Sequence, residues 1–205
     1  PRKSVDISRK AELYETSSGM VTITGGKLTT WRRMAKMTVD RIVERDGRDA
    51  PCRTHQVPLG MPVAAGDLPE VAGVGADAYE QLAGRYGYAA HEVLRIAAER
   101  PELAEPVVEG RPDLLAEAAY AARRELARSV GDVLLRRTRL GLTAGRILCA
   151  ADASGPGRVA AVVGEELGWD AARVARETEA FAAEAAAEGI VVSGRTRRDG
   201  VLPAP

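Results

Sequence analysis

Apolar and polar positions along this chain change period once, early, and then stay helical. Met20 to Thr24, reading MVTIT, is a β-branched run that predicts a short strand, with residues 1–19 before it extended or looped. Gly25 and Gly26 end it. From Leu28 the residues Leu28, Trp31, Ala35, Val39 and Ile42 recur at steps of three and four, one apolar stripe of a helix. That helix is expected to run to about Arg45 and stop at Asp46-Gly47, with Thr29 or Thr30 capping its first turn.

Residues 47–69 are rich in Pro and Gly and hold no sustained period, so they read as a linker and a domain boundary. Helical periods follow over 75–86, 89–99, 112–127, 130–148, 156–167 and 170–188. Gly87, Arg100-Pro101, Gly110-Arg111-Pro112 and the loop Ala153 to Gly157 punctuate them. Asp113 and Asp132 fall in expected first turns, where a carboxylate suits the helix dipole, and Asp170 is placed to cap the last helix. The pattern therefore predicts a mainly α chain. Residues 1–46 form a strand-turn-helix piece, 47–69 a linker, 70–190 an all-helical domain, and 191–205 a loose polar tail.

Composition narrows the picture only a little. With 45% apolar residues and 4% aromatics, the alanine-rich chain favours closely packed helices over a β-sandwich. Acidic and basic residues balance at 29 each, so net charge gives no reason to expect a nucleic-acid partner. The stretch Arg123 to Leu142 (RRELARSVGDVLLRRTRLGL) is Arg-rich, but Glu125 and Asp132 interrupt it and no aromatic interleaves. Its guanidinium groups are expected to meet acidic neighbours within the domain or protein. Cys52 and Cys149 match no zinc or redox spacing, and His55 and His91 stand alone, so no metal site is expected. No apolar run approaches the ~20 residues that cross a bilayer. The abrupt polar start at Pro1 raises the expectation of a further N-terminal portion.

The glycine turn is the candidate for chemistry. It is not a P-loop: Val21 stands where the first glycine of that motif is needed, and Lys27 is followed by Leu28. No G-x-G-x-x-G occurs either. What remains is a strand, two glycines, a cation and a helix start. This arrangement suits an anionic or electron-rich group, because first-turn N–H groups are unpaired and the dipole end is positive. A tight turn with no ligand satisfies the same pattern. Arg9, beside Asp6 and Glu12, reads either as a solvated surface group or as an oxyanion clamp.

With those residues in view, the chain resembles the C-terminal part of FAD-dependent glycerol-3-phosphate dehydrogenases. The resemblance rests on Asp6-x-Ser8-Arg9 followed by a strand and Gly25-Gly26-Lys27-Leu28-Thr29-Thr30-Trp31-Arg32, on Val57-Pro58-Leu59-Gly60, and on the helical stretches 123–142 and 165–181. It implies that residues 1–46 are the end of an α/β FAD-binding domain, with the dinucleotide fingerprint upstream, and that the rest is an appended helical domain. Gly25, Gly26, Lys27, Leu28, Thr29 and Thr30 would then lie against the isoalloxazine, with Lys27 opposing charge on the reduced ring. Arg9 would bind the phosphate of glycerol 3-phosphate. The family often carries His two positions after that arginine, where this chain has Ala11.

The implied activity is oxidation of sn-glycerol 3-phosphate to dihydroxyacetone phosphate. Electrons would pass to a quinone-type acceptor, or to oxygen in oxidase relatives. The implied partners are the N-terminal FAD domain, the substrate and the quinone. A homodimer is left open, and the location would be cytoplasmic or peripheral at the inner face of the cell membrane. The isolated chain is expected to be inactive. The alternative is a standalone helical interaction module whose glycine turn is structural.

Overall fold

A computed structural model describes residues 10–190; Asp6, Ser8 and Arg9 and the tail from residue 191 lie outside them. The chain is mainly α and divides between Leu59 and Gly60 into two units.

The first unit holds an antiparallel hairpin of β1 (Glu12–Glu15) and β2 (Val21–Thr24), with Glu12 opposite Thr24 and Glu15 opposite Val21. The second of these strands is the one the β-branched run predicts; the first falls inside residues read as extended or looped, because ELYE carries too little apolar signal. A 3-10 turn over Leu28–Thr30 leads into α1 (Trp31–Arg45), which ends at Asp46. The hairpin is tied to α1 by charge: Arg41 pairs with Glu15 at 2.7 Å, and Arg45 donates to the Gly19 carbonyl at 2.8 Å.

The apolar stripe of α1 does not build a core here. Leu28 is 90% exposed, Trp31 49% and Val39 55%, and no residue of α1 is buried. Trp31, on that stripe, anchors no core within this unit. Its ring lies open, with the Arg32 guanidinium 4.7 Å from its centroid. The helical period was right, but the surface that the stripe would pack against is absent from this unit. An isolated two-stranded hairpin is at best marginal in water, so this unit has little to hold it by itself.

The second unit is built the opposite way. Its helices are α2 (Ala76–Tyr86), α3 (Ala90–Glu99), α4 (Leu115–Arg124), α5 (Leu140–Leu148), α6 (Gly155–Leu167) and α7 (Ala171–Ala187), with a π-helical turn over Asp132–Arg137. Every residue of α4 from Leu115 to Ala122 is buried. Five alanines there let α3 and α6 approach closely, which is why an aromatic-poor sequence still packs a dense interior. Val93, Leu94 and Ile96 from α3, Val159 and Val163 from α6, and Phe181 from α7 complete the core. Asp170 caps α7 by accepting the Arg173 N–H at 2.7 Å, and left-handed Gly168 ends α6.

Two expectations change. The helix expected over 130–148 is broken. Asp132–Arg137 winds with wide i to i+5 bonds that turn Val133, Leu134 and Leu135 all inward, and Arg139 then adopts φ 56 before α5 begins. The helix expected from 112 starts at Leu115, and Asp113 is not a dipole-facing surface carboxylate. It is buried in the loop before α4.

Candidate functional site

The predicted turn residues Gly25 to Thr30 are brought together by the end of β2 and the start of α1. Gly25 and Gly26 both have positive φ, 75° and 77°, a conformation in which a side chain is strained. Space excludes one as well. A Cβ on Gly25 would lie 2.5 Å from the Lys10 carbonyl oxygen, and one on Gly26 would collide with the Met34 sulfur. The turn itself therefore requires these glycines, before any ligand is considered.

Lys27 is extended, with φ −132° and ψ 157°, and exposed. No carboxylate pairs with its ammonium among the described residues. Thr30 does not cap α1 as expected. Its hydroxyl instead accepts the Lys27 N–H at 2.9 Å and donates to the Lys27 carbonyl at 2.8 Å. The first bond of the helical ladder runs from the Thr30 N–H to the same carbonyl at 2.9 Å. The N–H groups of Leu28 and Thr29 precede that bond and stand as helix-start donors beside a cation. Two donors, one ammonium and the exposed Leu28 side chain are a donor set suited to the polar edge of a flat, partly apolar ring. Arg9, the predicted phosphate ligand, lies outside the described residues.

The second unit carries a polar cluster that sequence reasoning did not find. Glu117 on α4 is fully buried; its carboxylate accepts from the Arg85 guanidinium, from the Tyr86 hydroxyl at 3.0 Å and from the Leu114 N–H at 2.7 Å. Arg85 also pairs with Asp113 at 2.9 Å and donates to the Thr138 carbonyl at 3.1 Å. One guanidinium, itself 23% exposed, thus serves two buried carboxylates. Burial first, then the Asp113 charge, push the Glu117 carboxyl up to about 7 against the opposing pull of Arg85. Burial and the Glu117 charge likewise raise the Tyr86 phenol, which stays a donor. Glu117 three residues after Leu114 is half of a capping-box spacing, the one local signal that marks it.

A carboxyl held above its unfolded value binds more protons folded than unfolded between about 4.5 and about 7. The contribution of Glu117 to stability is therefore expected to fall as pH rises through that window, by about 3 kcal/mol, and to level off above it. Urea unfolding of the chain across this range should show the slope, and Glu117→Gln should remove it. A Glu117→Gln chain with an unchanged slope would contradict the assignment.

Four of the arginines of 123–142, at positions 123, 124, 136 and 137, meet acidic neighbours within the unit, as expected from the sequence. Arg123 grips Glu166 at 2.6 Å, Arg124 pairs with Glu92 at 2.7 Å, and Arg136 spans Glu184 and Glu188 on α7, both at 2.7 Å. Their charge is spent on helix-to-helix pairing.

Comparison with known proteins places these features. Residues 21–174 match the family described as the C-terminal domain of alpha-glycerophosphate oxidase. The chain is 42% identical over 143 residues to glycerol-3-phosphate dehydrogenase 1 of Mycobacterium tuberculosis, covering 68% of this chain and 27% of that protein. It is 34% identical over 192 residues to glycerol-3-phosphate dehydrogenase 2 of the same organism, covering 89% of this chain and 32% of that protein. It is also 34% identical over 151 residues to the aerobic glycerol-3-phosphate dehydrogenase of Bacillus subtilis, covering 65% of this chain and 27% of that protein. The chain therefore spans about a quarter to a third of the length of these curated relatives.

Proposed function

The chain belongs to the family of the C-terminal domain of alpha-glycerophosphate oxidase, and on that premise we propose that it is the closing part of an FAD-dependent glycerol-3-phosphate dehydrogenase. The reaction is oxidation of sn-glycerol 3-phosphate to dihydroxyacetone phosphate, with a quinone-type acceptor taking the electrons. The observation that carries this reading is the coreless first unit. It holds a strand-glycine-turn-helix whose apolar stripe faces outward, with Lys27 and two free helix-start donors at its tip. Such a piece is built to complete a larger domain. The remainder of an FAD-binding domain is the partner that covers Trp31 and Val39.

The donor set fits the cofactor. When bound, FAD supplies the hydride acceptor. Gly25 and Gly26 bring the main chain close, and Leu28 and Thr29 offer their N–H groups. Lys27 would hold a positive charge toward the ring, whose pyrimidine edge gains negative charge on reduction. Thr30 belongs to the same flavin-facing turn. Arg9 binds the phosphate of the substrate, with Ala11 in the place of the family's frequent histidine. The helical unit takes no part in the chemistry and serves packing, dimerisation or partner docking. Peripheral association with the membrane's inner face is the proposed way the quinone is met; no helix among the described residues is long and apolar enough to cross a membrane.

The 205-residue chain alone, mixed with FAD and glycerol 3-phosphate, is expected to show neither tight flavin binding nor dye reduction. Tight binding with turnover would overturn the reading of a closing part. Binding of another protein without flavin, in place of complementation by an upstream FAD domain, would favour a helical interaction module instead.

A further inference from the structure

We propose that Thr30 acts on the flavin only through Lys27, as a positioning residue, and is not itself a flavin ligand; this rests on the flavin reading above. A hydroxyl has one proton and two acceptor sites. In Thr30 the proton goes to the Lys27 carbonyl at 2.8 Å, and one acceptor site takes the Lys27 N–H at 2.9 Å. On the remaining side of the oxygen the Met34 sulfur lies 3.7 Å away. Its single proton is spent within the turn, so the hydroxyl has no donor to offer a ring.

What the hydroxyl does instead is hold both peptide groups of Lys27 from a single point. Thr30 adds its own N–H to the same carbonyl, so Lys27 is pinned by three bonds from one residue. That fixes Lys27 in its extended conformation at the mouth of the helix start. It also takes the Lys27 N–H out of the donor set, so the amides offered outward are those of Leu28 and Thr29. Gly26 and Thr30 form one device: the missing side chain at the first makes room for the hydroxyl of the second.

The test is a double-mutant cycle in the complete flavoenzyme, read by sulfite affinity. Sulfite adds to a flavin readily only where a positive charge offsets the negative charge of the product. Thr30→Val is expected to weaken sulfite binding about tenfold, the scale of a lost well-aligned hydrogen bond, with the KM for glycerol 3-phosphate unchanged. Thr30→Ser should restore it. In a Lys27→Ala background Thr30→Val should add nothing, because its effect passes through Lys27. Additive losses, or loss of FAD from Thr30→Val alone, would show a direct ligand and overturn the proposal. Should Thr30→Val fail to accumulate, the same reading is made on Thr30→Ala, and amide exchange at Lys27 in the complete enzyme must accelerate in either variant. Exchange that does not change also overturns it. A complete wild-type enzyme without FAD would instead overturn the flavin reading, and this proposal with it.

Discussion

Replacing Arg85 by alanine is expected to cost the helical unit about 3–5 kcal/mol, the usual penalty for stranding buried charge. Arg85 is the only cation that reaches both Asp113 and Glu117 among the described residues, and both carboxylates are buried. Without it the interior must hold two unpaired acids or bind protons to neutralise them. The same guanidinium fixes the Thr138 carbonyl, so its loss also frees the break between the π-helical turn and α5. Urea or thermal unfolding of the chain measures the loss. A change under about 1 kcal/mol would mean that water reaches the cluster and satisfies it. The triple variant Arg85→Met, Asp113→Asn, Glu117→Gln should recover much of the loss, because removing all the charges together leaves none stranded.

In the complete flavoenzyme Lys27→Ala is expected to lower turnover by about 10²-fold, the scale seen when one preorganised donor to a developing negative charge is removed. The flavin reduction potential should fall with it, since the ammonium favours the reduced, more negative ring. Lys27→Arg should retain most of the potential, because a charge remains, while turnover suffers from altered reach. Stopped-flow reduction by glycerol 3-phosphate and a dye-equilibrated titration give the two values. If both are unchanged in Lys27→Ala, the ammonium does not face the ring.

Where each element came from explains how much of it could be read in the chain. Helices α2, α3, α6 and α7 were legible because a local period and a local stop coincide, as at Gly87, Gly168 and the Asp170 cap. The break at Thr138-Arg139 was not, because it is set by Arg85, which lies 53 residues away in sequence. Nothing in RRTRL announces a left-handed arginine. The stripe on α1 has the period of a helix, and its packing is a separate matter. Periodicity says which residues share a face, and the partner for that face is not in the unit. In the candidate site, the glycines, Lys27 and the helix start were legible from chemistry alone. The role of the Thr30 hydroxyl was not, since threonine at a helix start is ordinarily taken for a cap.

The wrapping of α4 has a consequence for how this domain can change over generations. A surface helix drifts on its outer face while its inner face stays put. From Leu115 to Ala122 α4 has no outer face, and its alanines sit where larger side chains would push neighbouring helices apart. Variation must therefore collect in the shell: the exposed side of α7, the loops, and the arginine–glutamate pairs that can be swapped or reversed together. Two descendants of this fold are expected to differ widely around their rims and to share an almost unaltered alanine axis.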